Sequence, residues 1–301
     1  MSAFGVGVIL PSVAVQQRQG LDLPTAARHA EELGLDSVWH GDHLAVGMPT
    51  LDCAVALAAA AAATRRIRVG ASVFVPAIRP VAWAAKQIAS LQHVSGGRLV
   101  VGIGSGGGPG QWAAAGVPYA ERGRRTDTAL ELLPGLLAGE PVRLRDEPGQ
   151  PVVDLALSVP SPPFWVGNAS PVAIRRAARH GDGWFPSLVP EDEIADALPR
   201  LTELAAAHGR PTPTVAVGAT GVLGSGGDLP TREEIAAGLT RSYGMPAERA
   251  ATIPITGTPR DAARRLAAYR RAGAAHLVIG FSGGDWRRQC ELLAEARTLL
   301  D

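Results

Sequence analysis

The chain has 301 residues, 46% of them apolar and 5% aromatic, with 29 basic residues against 28 acidic ones. That balance, with no long run of one sign, excludes the electrostatic footprint of a nucleic-acid or membrane-surface binder and leaves a small molecule as the expected partner. The apolar content excludes a mainly disordered chain, and the two cysteines, Cys53 and Cys290, each inside an apolar helical pattern, read as buried thiols.

The opening segment has no basic n-region and only a short apolar run, so it is not read as a signal peptide, and a cytoplasmic protein is expected. Residues 5–11 form the first predicted strand, and Asp22 caps a helix whose Leu23, Ala26, Ala27, Ala30 and Leu33 share a face before Gly34 ends it. Residues 37–41 are the second strand. The apolar run 51–63 falls short of the roughly 20 residues that a membrane span needs, and reads as a helix. A third strand over 67–75, a helix over 81–94 stopped by Gly96 and Gly97, and a fourth strand over 99–104 follow.

Residues 119–137 predict a helix, whereas 141–163 hold too many prolines for one element and predict a hairpin or excursion. The fifth strand is 164–167. Ser170 and Pro171 then open a helix over 172–180, as a cap followed by proline at the first helical position. Strand six (183–186), a helix (198–208) and strand seven (214–218) lead into a second excursion over 224–252, within which Thr231 and Glu234 form a capping box. Thr258 and Pro259 open a helix over 260–272, 276–281 is the eighth strand, and 286–300 closes the chain as a helix.

Strand runs such as VVGIG and HLVIGF are apolar throughout, as strands covered on both faces should be. The alternation therefore predicts an α/β fold, a (β/α)8 TIM barrel in one domain spanning 1–301. In such a barrel chemistry gathers after the strands. That places His40, Asp42 and His43, Ser72 and Val73, residues 105–108, 168–170, Ser187, and 282–285 at one mouth.

Within SVWHGDHL, no later residues supply a third and fourth metal ligand, so no metal is expected. His40 lies in the strand and is expected to be structural. His43 lies beyond it and suits proton donation near neutral pH. Residues 102–107 formally match a dinucleotide fingerprint, but they follow the fourth strand, and 108–110 are expected to prolong the loop before a later helix. The glycines are read instead as letting backbone approach a flat ligand. WVGNASP supports two readings, a phosphate cradle at a helix start or ordinary capping by Ser170.

Seven segments in order, GVGVILP, LGLDSVWHGDHL, RIRVGASVFVPAIRP, IASLQHVSGGRLVVGIGSG, GVPYAERGRRTDTALELL, PFWVGNASPVAIRRAARHGDGWFP and GTPRDAARRLAAYRRAGAAHLVIGF, resemble the luciferase-like flavin- or deazaflavin-dependent oxidoreductases, a βα-barrel family. The resemblance implies a non-prolyl cis peptide at Ser72 and Val73 beneath the ring of coenzyme F-420, with FMN as the alternative cofactor. It sets Asp42 and His43 close to the ring, with Gly104, Ser105, Gly106 and Gly107 beside it. Gly167, Asn168, Ala169 and Ser170 fall at the cofactor phosphate.

There are departures. Gly107 stands where several deazaflavin-dependent dehydrogenases carry a glutamate, Asn168 replaces a second glycine, and Pro80 follows Arg79 in place of a small polar residue. The expected activity is hydride transfer between F-420 and an organic substrate, preferably reduction of an activated C=C or C=N bond with His43 as proton donor. An FMN-dependent monooxygenase and a non-catalytic ligand-binding barrel are the alternatives. The resemblance also implies a homodimer.

Overall fold

The computed structural model describes residues 4–44 and 47–300. Eight strands, β1 (Gly5–Ile9), β2 (Ser37–His40), β3 (Arg68–Phe74), β4 (Leu99–Ile103), β5 (Phe164–Gly167), β6 (Gly183–Phe185), β7 (Thr214–Leu223) and β8 (His276–Phe281), pair in parallel with their sequence neighbours. β8 pairs back to β1, with Gly5 opposite His276, which closes the barrel. The expected (β/α)8 fold is therefore the observed one.

Both faces of the sheet are packed, which is why the strands read as continuous apolar runs. Val6, Val8, Val38, Val69, Val101, Val166, Leu277 and Ile279 belong to the large core shared with the helices. Inside the barrel Trp39, Val100, Trp165, Phe185, Ala216 and Val278 form a separate core. Glycines on adjacent strands make room for its two indoles. A Cβ on Gly70 would lie 2.3 Å from the Trp39 ring, and one on Gly183 would lie 2.4 Å from that of Trp165.

Eight helices, α1 (Leu23–Glu32), α2 (Cys53–Ala63), α3 (Val81–Val94), α4 (Arg122–Ala138), α5 (Pro171–His180), α6 (Glu191–Ala207), α7 (Pro259–Arg271) and α8 (Trp286–Thr298), surround the strands. Predicted caps are in place: the Asp22 carboxylate accepts the Thr25 N–H at 2.7 Å, and Thr258 with Asp261 completes a capping box on α7. The 141–163 excursion is an antiparallel hairpin of Val142–Arg143 on Val152–Val153. The 224–252 excursion holds two helices, Arg232–Tyr243, opened by the expected Thr231 capping box, and Ala247–Thr252.

Other elements depart from expectation. Strand seven runs on to Leu223 because the short strand Ile255–Gly257 pairs with its far end. Helix α6 begins at Glu191, not 198: its first turn is acidic, which suits a helix N-terminus, and Pro199 is accommodated inside it. Helices Val13–Gln19 and Pro109–Ala114 were not expected. The second corrects the reading of residues 108–110 as continued loop, since Pro109 takes the first helical position. It is closure of the barrel that excludes the dinucleotide fold. Both cysteines are free and buried, and burial pushes both thiols well above their ordinary pKa. No helix among the described residues is long and apolar enough to cross a membrane.

Candidate active site

The site is built where β3 breaks step with β4. The Ser72–Val73 peptide bond is cis, and the pairing register shifts between Ala71 and Phe74. Val73 joins the inner core at this point. Three glycines receive it: a Cβ on Gly104 would come within 2.3 Å of its side chain, on Gly167 within 2.9 Å, and on Gly102 within 3.1 Å. Bulge and glycines thus form one fit, with Val73 as a shelf in the mouth.

The Asp42 carboxylate anchors the far side of this bulge. It accepts the Val75 N–H at 2.9 Å and an Arg79 N–H at 2.7 Å, and its side chain is only 6% exposed. Arg79 is fixed in turn by Gln87 at 2.9 Å and lies over the Phe74 ring at 4.6 Å. His43, one residue on, is exposed and folds over Gly41, where a Cβ would lie 2.9 Å from Nε2 and 3.7 Å from the Ser72 carbonyl oxygen. His40 lies apart from the mouth. One ring nitrogen is 2.8 Å from the Gly41 carbonyl, and burial lowers its pKa against the opposing effect of that bond.

The loop after β4 supplies a second wall. Ser105 Oγ accepts an N–H of Arg176, 3.1 Å away, while Arg176 pairs with Asp127 at 2.5 Å. Gly106 has φ +75° and packs on Trp112, so a side chain there would meet the indole nitrogen at 2.8 Å. Gln111, beside Gly107, accepts the Leu44 N–H at 3.0 Å. The unforeseen helix Pro109–Ala114 therefore ties the loop after β4 to the one carrying His43.

At the third wall Asn168 takes φ +83°, a region that asparagine tolerates better than most residues. Its side chain accepts the Ser170 N–H at 2.8 Å, and its carbonyl accepts the Trp184 indole N–H at 2.9 Å. Backbone N–H groups of Gly106, Gly107, Asn168 and Ala169 make no hydrogen bond within the described chain. They are donors available to an anion, with helix α5 behind the last two.

These walls enclose a cleft of about 480 Å³. Of the residues predicted for the site, Asp42, His43, Ser72, Val73, Gly104, Ser105, Gly106, Gly107, Gly167, Asn168 and Ala169 line it, as does Ser187. Ser170 does not: its hydroxyl caps α5 by accepting the Ala173 N–H at 3.3 Å. Residues 282–285, expected at the mouth, also lie outside the lining, and Asp285 caps α8. Phe185, Leu188 and Val189 also line the cleft, and Tyr243 and Arg249 reach it from the 224–252 excursion, a segment expected to shape the pocket though neither residue is singled out by a motif. Arg249 is held by both oxygens of Glu193, at 2.7 and 3.0 Å. Among the described residues no group of three or more His, Cys, Asp or Glu is arranged to hold a metal ion.

Over residues 11–248 the sequence matches the luciferase-like monooxygenase family. The chain belongs to this family. Among relatives of this luciferase-like protein, an F-420-dependent glucose-6-phosphate dehydrogenase of Beutenbergia cavernae is 34% identical over 60% of this chain and 57% of its own length. The 4-hydroxyprotoasukamycin monooxygenase of Streptomyces nodosus subsp. asukaensis is 29% identical over 61% and 53%. The chain spans about half the length of the curated relatives it matches. An F-420-dependent secondary alcohol dehydrogenase, solved with an F-420–acetone adduct, superposes with a TM-score of 0.83 over all of both chains at 16% identity, a likeness of fold.

Proposed function

We propose that this luciferase-like barrel is an F-420-dependent oxidoreductase acting on an organic substrate, with His43 moving the proton that accompanies reduction of an activated C=C or C=N bond. The observation that carries this reading is the convergence of the Val73 shelf, the glycine wall and the unpaired N–H groups on one cleft. The residues present fit the cofactor. Val73, set between Gly104 and Gly167, offers an apolar support for a flat ring, and the N–H groups of Gly106, Gly107, Asn168 and Ala169 would hold its phosphate. Bound there, the deazaflavin ring supplies the hydride chemistry.

The protein's own part is orientation and proton handling. Asp42 takes both Val75 and Arg79 on one oxygen, Oδ2, and through them it positions the shelf from within the cleft lining. Gly107 presents no carboxylate, and the His43 imidazole in the cleft lining is the group to which we assign the proton. Phe185, Leu188, Val189 and Tyr243 give the substrate side an apolar and aromatic surface, with Arg249 at its edge.

A second reading, an FMN-dependent monooxygenase, is favoured by the family match and by the monooxygenase relative. Titration of the purified protein with F-420 and with FMN, followed by quenching of cofactor fluorescence, separates the two. Saturable binding of F-420 and hydride transfer lost in His43→Ala are expected; saturable binding of FMN alone overturns the first reading.

For the quaternary state we propose a homodimer through α2. This helix is apolar on every side, alanine apart from Cys53, Val55 and Leu57, and a helix apolar all round ordinarily has its outer face covered. Val55 on α2, Met48 before it and Trp83 on the adjacent α3 are each about two-thirds exposed. Light scattering should give twice the chain mass, and Val55→Glu with Trp83→Glu should halve it.

A further inference from the structure

The end of the barrel opposite the cleft carries a second cavity, of about 410 Å³, lined among others by Gly5, Glu31, Asp36, Arg66, Arg68 and His276. That size falls within the range of small-molecule sites, about 300–1,000 Å³. Its polar groups are not balanced. Glu31 accepts the backbone N–H groups of Arg65 at 3.0 Å, Arg66 at 2.6 Å and Ile67 at 2.8 Å. Burial opposes charge on Glu31, but these bonds prevail and hold its carboxyl below the ordinary value. Asp36 accepts the Val6 N–H at 2.7 Å and an Arg297 N–H at 2.9 Å. Both carboxylates are thus committed to the fold. Among the described residues, neither Arg66 nor Arg68 has a carboxylate within 4.0 Å to pair with, and no side chain or carbonyl accepts from either guanidinium.

His276 adds a directed donor, and its tautomer follows from its neighbours. The Trp39 indole can only donate, and its Nε1 is 2.7 Å from Ser37 Oγ. Ser37 Oγ is in turn 2.8 Å from His276 Nε2. With the indole proton taken by Ser37, the serine hydroxyl hydrogen has His276 Nε2 as its acceptor, and the imidazole proton resides on Nδ1. Nδ1 lies against Gly5, where a Cβ would be 2.0 Å away, and it has no hydrogen-bond partner in the described chain. Burial first, then Arg68 and Arg297, push the His276 pKa down to about 3, so the ring stays neutral and keeps this N–H. The residue is 6% exposed, and that exposure is to the cavity it lines.

We propose that this basal cavity is an oxyanion site for a phosphate group, either free phosphate or the phosphate of a monoester, with Arg66 and Arg68 supplying charge and the His276 Nδ1–H supplying direction. Guanidinium groups suit planar, bidentate recognition of such oxygens, and a neutral N–H aligned beside them fixes one of those oxygens. Nothing in this site depends on the identity of the cofactor at the other end of the barrel.

The test is a titration of the whole protein with inorganic phosphate and, separately, with phenyl phosphate, in constant chloride. The His276 ring nitrogens are followed by nitrogen-15 NMR, and Trp39 and Trp165, whose rings lie 6.2 and 5.5 Å from it, by fluorescence. A saturable shift of His276 is expected, with Arg66→Ala/Arg68→Ala weakening it about a hundredfold while F-420 or FMN binding stays unchanged. Tighter binding of phenyl phosphate would mark the carried group as the ligand, and tighter binding of inorganic phosphate the free ion. A shift that does not saturate, or one of equal affinity in the double variant, overturns the proposal. Both arginines are exposed on the surface, so the variant is expected to fold.

Discussion

The two ends of this barrel are made by the same eight strands and solve opposite problems. At the mouth, glycines withdraw side chains, so that backbone N–H groups and the Val73 shelf face open space. At the base, the strand interior is filled by side chains bonded in sequence, Trp39 Nε1 to Ser37 Oγ to His276 Nε2, with the indoles of Trp39 and Trp165 stacked at 5.3 Å. Stability and chemistry are thus separated along the strand axis, so substitutions at the two ends should fail in different ways.

Trp39→Ala should do the most damage to stability. It removes a fully buried indole around which Gly70 is fitted, and a loss of about 3–5 kcal/mol is expected by urea unfolding. An intact denaturation midpoint would show that the base does not carry the stability. His43→Ala should do the reverse. Turnover should fall about 10²–10⁴-fold, whereas stability should stay within about 0.5 kcal/mol because the residue is exposed. Equal activity in wild type and variant would remove His43 from the proposed chemistry.

Asp42→Asn lies between these extremes, since it supports the mouth from within. It leaves Arg79 without its countercharge while the Val75 N–H can still be accepted, so a loss of about 1–3 kcal/mol and weaker cofactor quenching are expected together. A change in only one of the two would separate anchoring of the shelf from stability of the fold.

The base should also respond to acid. His276 has a folded pKa of about 3, against about 6.5 in an unfolded chain. Below the unfolded value the unfolded state binds a proton that the folded state refuses. Its contribution is therefore fully present above pH 6.5 and is lost as pH falls toward 3, by up to about 1.4 kcal/mol per pH unit. Burial lowers His40 in the same direction. Urea midpoints between pH 7.5 and 5 should fall accordingly, and a flat profile would contradict burial of a neutral His276. The smallest effect belongs to Ser170→Ala: about 1 kcal/mol of stability from a lost cap, with cofactor affinity unchanged, because that hydroxyl turns to Ala173 and away from the cleft.

Much of this was legible in the chain. Apolar runs bounded by glycine gave the strands, and Asp22, Ser170, Thr231 and Thr258 announced the helices they cap. Residues that line the cleft from β2 to β5 were recognisable because they follow directly after strands, where the barrel fixes direction. Leu188 and Val189, in the loop after β6, and Tyr243 and Arg249, in the 224–252 excursion, were not, because neither segment has a period that aims its side chains. Helix Pro109–Ala114 was hidden by the surrounding glycines, although it joins the loop after β4 to the one carrying His43.

The sequence by itself determined the alternation of strands and helices, the residues at the strand ends and the family to which they belong, since these depend on local pattern and spacing. Only the tertiary structure decided that Asp42 Oδ2 meets Arg79 and Val75, and that His276 keeps its proton on Nδ1 facing a cavity. It also decided that Arg66 and Arg68 stand there without partners among the described residues. Each of those facts depends on which groups meet across strands far apart in the chain, and closure of the barrel brings them together.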